Sequence, residues 1–354
     1  MTTRAGAPDI LLLSLGTTLG WRQADALFAG QLREAGVGVA VATVRVGASG
    51  RLRRAYPVTD LVEALAARRA LGAALGRERP RALVISTTTA ALLARPGDLP
   101  YAVRLDAPAR LNRPGPRNLP LHALERRSLG RARLVLPWSR AAAAALPAGA
   151  APTVVVPPPL APPAAAAPSE RERLAVAYTP DVKAKGLDLV CAAWAAAGIE
   201  GARLEVFGVE REPALAHLAR TGTPVPDDVR FLGKTPPDDF RAALRRGRAY
   251  VGGARWEDFG IAPLEALDDG ALLVTVPSGG PFEALALARE LAPQLVADDI
   301  DVRQLALALR TAFDLPEERV RAYRQRATVL LEPFRPAAVR RTVAEQVVPA
   351  LLGG

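Results

Sequence analysis

The sequence predicts an α/β protein built from two doubly wound parallel sheets, and three observations carry that expectation. Apolar runs of strand length alternate with segments of helical spacing along most of the 354 residues. The proline-rich stretch VVVPPPLAPPAAAAPSE interrupts the series near its middle, and the alternation then resumes. Strands that are apolar at every position belong to parallel sheets covered by helices on both faces.

In the first series DILLLSL reads as a buried strand, and RQADALFAGQLREAG as a helix closed by Gly36. VGVAVATVRV is a second strand, and PRALVIST, LPYAVRL, RARLVLPW and TVVVPP are short further ones. Residues 51–81 mix basic clusters with apolar helical spacing, which fits a solvated helix with one buried stripe or a membrane-surface contact. The prolines of residues 157–169 suit neither a helix interior nor a central strand, so this stretch is expected to link two domains, 1–156 and 170–333. In the second series ERLAVAYT, ARLEVFG, DVRFLG, AYVGGA, ALLVTVPS and QLVADD read as strands with helices between them. Residues 334–354 are expected to form a broken helical tail that packs back on the first domain. Ligands of such sheets bind at the carboxyl ends of the strands, which places the expected site in a cleft between the domains.

Composition narrows the function classes. The net charge is +10, and residues 1–168 hold 22 arginines against nine acids. A basic half favours anionic partners such as phosphates, acidic glycans or an anionic membrane surface. No helix-turn-helix, zinc-finger or aromatic RNA-binding spacing accompanies it, so nucleic acid is not an expected partner. Cys191 is the single cysteine, which fits a reducing compartment. The amino terminus has neither a signal-peptide pattern nor an apolar run of spanning length, and the expected location is cytoplasmic, with peripheral contact at the inner membrane face. No His, Cys and acid cluster has metal spacing, and no Walker loop or nucleophile elbow is present.

The segment EDFGIAPLE, residues 257–265, follows the AYVGGA strand. Pro263 suits the first turn of a helix starting near Gly260 to Ala262. The free N–H groups and positive dipole end of that helix are ready for phosphate, and Gly260 lets backbone approach an anion closely. Glu265, one turn in, can accept two hydroxyl hydrogen bonds from a ribose, and Glu257 on the loop can reach another part of the same ligand. The spacing suits an elongated ligand with a diphosphate at its middle, as in a nucleotide sugar. The same acids would also stabilise the helix dipole by a few tenths of a kcal/mol.

EDFGIAPLEAL followed by a strand and SGGPFE resembles the E-x7-E region of retaining glycosyltransferases of family 4, which have the GT-B fold. YTPDVKAKGLDLVCAAW resembles that family's strand–loop–helix with a Lys-Gly pair, VRFLGKTPPDDFRAALRRGRAYV its base-binding strand, and LHALERRSLGRARLVLPWSR the segment closing its first domain. The resemblance implies a metal-independent transfer of a sugar from a nucleotide-sugar donor to a hydroxyl acceptor, either a glycan or a lipid-linked one, with no cofactor. It implies that Glu265 binds the ribose and Glu257 the donor sugar. Backbone at Phe259, Gly260 and Ile261 would meet the diphosphate, Lys185 would neutralise it, and Leu232 and Gly233 would contact the base. The family's usual arginine six positions before the lysine is Thr179 here, and Lys183 could substitute for it. A nucleotide-sugar-binding relative without transfer activity, or a GT-B sugar-nucleotide epimerase, would share these motifs.

In the first half, Gly16 and Gly20 permit a tight turn in SLGTTLGW, a loop that in the family faces phosphates and acceptor. Residues 103–118 form a polar, proline-broken stretch expected to bind acceptor through Arg104 and Asp106. The family's histidine in this region is absent. His122 is expected to pack or cap, and His217 to be structural.

Overall fold

The computed structural model describes residues 7–45, 58–162 and 171–353. The chain divides into two units: one runs to Pro159 and takes in Phe334–Gly354, and the other is Leu160–Pro333.

The first unit holds five parallel strands, β1 (Ile10–Ser14), β2 (Val39–Thr43), β3 (Ala82–Ser86), β4 (Tyr101–Leu105) and β5 (Leu134–Pro137), in the order β2-β1-β3-β4-β5. Alternate residues of each strand serve opposite faces. Leu11, Leu13, Leu83, Ile85, Val103 and Val135 pack with Ala67, Leu71 and Ala74 of the helix Val58–Glu78. Ile10, Leu12, Val84, Ala102 and Leu136 pack with Phe28 and Leu32 of the helix Leu19–Glu34. Because both faces are covered, β1 is buried at every position.

The carboxyl-terminal tail completes that second face. Val339, Val343, Val347 and Leu351 belong to the same buried cluster as Ile10 and Phe28. The tail is a broken helix, Pro336–Thr342, a π turn Val343–Val347 and Val348–Leu352, with Pro349 just after the π turn.

The second unit holds β6 (Glu172–Tyr178), β7 (Arg203–Phe207), β8 (Val229–Gly233), β9 (Gly247–Gly252) and β10 (Leu272–Thr275), all parallel, in the order β10-β9-β6-β7-β8. On one face the helices Leu187–Ala197 and Val302–Asp314 meet edge to face through Trp194 and Phe313, 6.0 Å apart. On the other, Phe240 of the helix Pro237–Arg246 packs 5.2 Å from Tyr178 and 5.4 Å from Phe207.

Several sequence expectations are corrected. TVVVPP forms no strand. Val154 N and Val156 N donate to Val135 and Pro137 along β5, while Pro152 and Pro157 have no N–H to continue a ladder. QLVADD is a 3-10 turn, Pro293–Leu295, with a single bridge from Val296 to Thr275. β9 stops at Gly252, two residues before the expected Ala254. The helix Glu317–Leu330 was not anticipated. Residues 103–118 contain short helical turns, Ala109–Asn112 and Pro116–Asn118. Of the proline-rich stretch, 163–169 lies outside the described residues, and Pro157, Pro158, Pro159 and Leu160 are buried rather than exposed. Residues 51–57 also lie outside them. The helix that follows buries a stripe of Ala64, Ala67, Leu71 and Ala74. No helix among the described residues is long and apolar enough to cross a membrane.

Tail docking is testable through Val343, which is fully buried. Val343→Ala is expected to cost about 1–3 kcal/mol and to lower the urea midpoint. An unchanged midpoint would detach the tail from this core.

Candidate functional site

In the second unit the strand order reverses between β6 and β9, and the loops leaving their carboxyl ends meet there. The contact is backbone to backbone. A Cβ on Gly186 would fall 1.9 Å from Gly253 O, and Gly186 has φ +63°, so only glycine fits. Arg255 N donates to Ala184 O at 3.2 Å, and Arg255 pairs with Asp188 at 2.6 Å.

This approach brings Lys185 and Glu257 together. Lys185 Nζ donates to Glu257 Oε1 at 2.8 Å and Oε2 at 2.7 Å. Burial pushes the Glu257 carboxyl up, while Lys185 pulls it back. The loop after β10 fixes Glu257 from behind. Glu257 N donates to Gly279 O at 2.9 Å, and Ser278 Oγ to Ala254 O at 2.6 Å. A Cβ on Gly280 would lie 2.4 Å from Glu257 O, so that loop also requires glycine.

The helix Ile261–Asp268 begins as its sequence implies, capped by Gly260 in the left-handed conformation. A Cβ on Gly260 would strike the Phe282 ring at 2.4 Å. The first N–H groups of a helix have no intrahelical partner, and Pro263 has none to offer, so the tip presents Ile261 and Ala262 N–H. Phe259 is buried and anchors the turn.

Glu265 lies one turn in, half-buried, with its carboxyl pushed up to about 7 by burial. Arg241 Nη1, 3.9 Å away, pulls it down, while Asp269 and Asp268 push it up. Arg241 pairs with Asp268 at 2.9 Å and also with Asp269. Sequence reasoning missed this arginine. The charge pattern of DDFRAALRR gives no signal of it, because the acids that Arg241 meets follow on the next helix. Tyr250 feels both carboxylates and Tyr178 feels Glu265, and burial is the main cause that raises each hydroxyl.

The other second-unit candidates are more dispersed. Leu232 is exposed, and Gly233 has φ +71° with Glu210 Oε2 2.5 Å from where its Cβ would be. Lys234 N donates to Glu210 Oε1 at 3.1 Å. Lys183 is exposed, and its carbonyl accepts from Arg255 at 3.3 Å. Thr179 is buried, and its hydroxyl has no hydrogen-bond partner among the described residues. His217 is buried, 3.5 Å from Asp188.

The first unit has its own polar cluster at the carboxyl ends of β1, β3 and β4. It corrects the expectation that Arg104 contacts an acceptor: Arg104 is 0% exposed and pairs with Asp25 at 2.9 Å. Ser14 Oγ donates to Asp25 at 2.5 Å, and Ser86 Oγ donates to its other oxygen. The Phe28 and Trp138 rings lie 4.8 and 4.9 Å from the guanidinium. Burial lowers Arg104 to about 10, so it remains charged at neutral pH. Removing one member of a buried pair strands the other charge, which makes Arg104 a residue of the core. Asp106 is half-buried and accepts from Trp21 Nε1 at 3.0 Å. Gly16 makes the expected turn with φ +55°, and its carbonyl accepts from Arg22 at 3.0 Å. His122 Nε2 lies 2.9 Å from Arg113 O. Thr87, at the end of β3, has φ +90°, a strained conformation for a β-branched residue that its sequence gave no sign of. Among the described residues no group of three His, Cys, Asp or Glu could hold a metal ion.

Two parallel-sheet Rossmann-like units joined in this order have the GT-B fold of glycosyltransferases. Residues 164–328 match the family model for glycosyl transferases group 1. Among solved structures, sucrose-phosphate synthase from Thermosynechococcus elongatus aligns with TM-score 0.76 at 15% identity, over 98% of this chain and 99% of that one. The Anabaena protein HepE, solved in complex with UDP and glucose, aligns with TM-score 0.71 at 15% identity, over 96% and 99%. By sequence, glycogen synthase of Mycobacterium tuberculosis is 37% identical over 106 residues, 28% of this chain. The match spans 24% of that relative's length, about a quarter.

Glu265 gives the second unit a pH signature. The folded protein holds a proton to about 7, whereas the unfolded carboxyl releases it near 4.5. Between those values the folded state binds more protons, so this group lowers stability as pH rises. Glu265→Gln is expected to flatten that part of the pH–stability curve, measured by chemical denaturation. An unaltered slope would mean that Glu265 titrates normally.

Proposed function

We propose that this protein is a retaining glycosyltransferase that moves a sugar from a nucleotide-sugar donor to a hydroxyl acceptor. The observation that carries the reading is the convergence, where the strand order reverses, of a glycine-capped helix tip, Lys185 paired with Glu257, and a half-buried Glu265. The match of residues 164–328 to the group 1 family supports it.

The chemistry follows from where charge develops. As the glycosidic bond breaks, the leaving diphosphate gains negative charge. The tip N–H groups and Lys185 stabilise it best in the transition state, because they are fixed before the reaction begins. Glu257 holds the lysine in place and, when phosphate draws that lysine away, accepts hydroxyls of the donor sugar. Glu265 accepts the ribose hydroxyls. The lysine and the helix tip do the work that a divalent cation would otherwise do for the leaving group, so the transfer proceeds without metal. The acceptor is a glycan or a lipid-linked sugar.

Thr179 favours a second reading, a nucleotide-sugar-binding protein without turnover. Its small buried side chain supplies no charge where the resemblance places an arginine. Donor binding without transfer across a broad acceptor panel would decide for it.

A thermal-shift screen of nucleoside diphosphates and their sugars identifies the donor first. Lys185→Ala and Glu265→Ala are each expected to weaken the best hit by about tenfold or more, the loss of one charge-assisted contact. Unchanged affinity in both would refute the site.

Transfer with the identified donor is expected to persist in excess chelator, assayed by nucleotide release. Complete loss there would place a metal in the reaction.

A further inference from the structure

A cavity of about 1000 Å³ opens in the first unit, at the amino ends of β3, β4 and β5. It lies at the opposite end of the strands from Ser14, Ser86 and Arg104, so it is separate from the polar cluster described above. Arg81, Arg95, Arg127, Arg131 and Arg133 line it against a single acid, Asp98. Arg81 is spoken for by Asp9 at 3.1 Å, and Arg133 Nε donates to Ala350 O at 3.1 Å. The ion pairs among the described residues leave Arg95, Arg127 and Arg131 without a carboxylate.

Arg127 and Arg131 lie four residues apart on the helix Leu119–Arg131, so their side chains share one face and repel. Arg131 also answers the negative end of the helix dipole, but that accounts for one cation and not for five around one space. The floor is held by hydrogen bonds: Tyr101 Oη donates to Ser128 O at 2.7 Å, and Ser128 Oγ to Ala91 O at 3.1 Å. Leu99, Leu124 and Leu351 add apolar wall. Guanidinium forks match phosphate oxygens two at a time, and the volume is that of a small-molecule site.

We propose that this cavity binds a phosphate ester carrying two or more negative charges, its organic part against the leucines. The assignment stands whether or not the second unit transfers sugar. The ester is a soluble phosphorylated compound or the headgroup of an acidic lipid.

The probe for the soluble source is inorganic pyrophosphate, titrated calorimetrically into the full chain at low ionic strength. Because pyrophosphate can also meet Lys185, the titration is repeated on Lys185→Ala and on Arg127→Ala/Arg131→Ala. The double arginine variant is expected to weaken, by about tenfold or more, a binding event that Lys185→Ala retains. Both arginines are exposed, so the variant folds, which its thermal unfolding curve verifies. The lipid source is read by sedimentation with phosphatidylcholine vesicles containing one fifth phosphatidic acid; retention lost in the double variant places a lipid phosphate in the same cavity. Pyrophosphate binding and vesicle retention that are absent, or that survive intact in Arg127→Ala/Arg131→Ala, would overturn the proposal. So would pyrophosphate binding lost only in Lys185→Ala, together with absent or unaltered vesicle retention.

Discussion

The backbone contact between Gly186 and Gly253 is the constraint on which the second-unit site depends. Two loops leaving neighbouring strands diverge unless something lets them touch, and here the absence of two side chains does so. With even a methyl group at Gly186 the loops must separate, since that Cβ would overlap Gly253 O. Lys185 is the next residue to one of these glycines, and Glu257 lies four beyond the other. Their ion pair is therefore a consequence of the glycine contact as much as of charge. The same device recurs behind Glu257, where Gly279 and Gly280 let a third loop close against it.

The two units place charge in contrasting ways. The first buries a complete ion pair, Arg104 with Asp25, and surrounds it with serine hydroxyls and aromatic rings. Such a pair contributes little net stability, but losing one partner is costly, so it fixes the packing of β1, β3 and β4 at their carboxyl ends. The second unit keeps its charges partly wet. Lys185 and Glu257 retain some exposure, and burial pushes the Glu265 carboxyl up to about 7. A fixed core charge suits architecture, whereas a half-buried acid that titrates near neutrality responds to its surroundings.

Much of the second-unit site was legible in the sequence because its residues are local. Gly260, Pro263 and Glu265 belong to one short segment whose helix start follows from glycine and proline chemistry, and Lys185 sits beside a glycine that must turn. Arg241 was not legible, because its partners Asp268 and Asp269 lie on another helix and only packing brings them together. Arg104 was misread for a related reason. A polar residue near the end of a strand looks like surface, and its counter-charge lies 79 positions away in sequence.

The sequence by itself determined the alternation of strands and helices, the two series and the glycine-capped helix start, since these rest on periodicity and on the backbone limits of glycine and proline. Tertiary structure alone decided the strand orders, the docking of the tail against β1, the burial of Arg104, the strain at Thr87 and the gathering of five arginines around one cavity. These depend on contacts between distant segments, and the free energy of such contacts is set by burial and dielectric surroundings that no local pattern specifies.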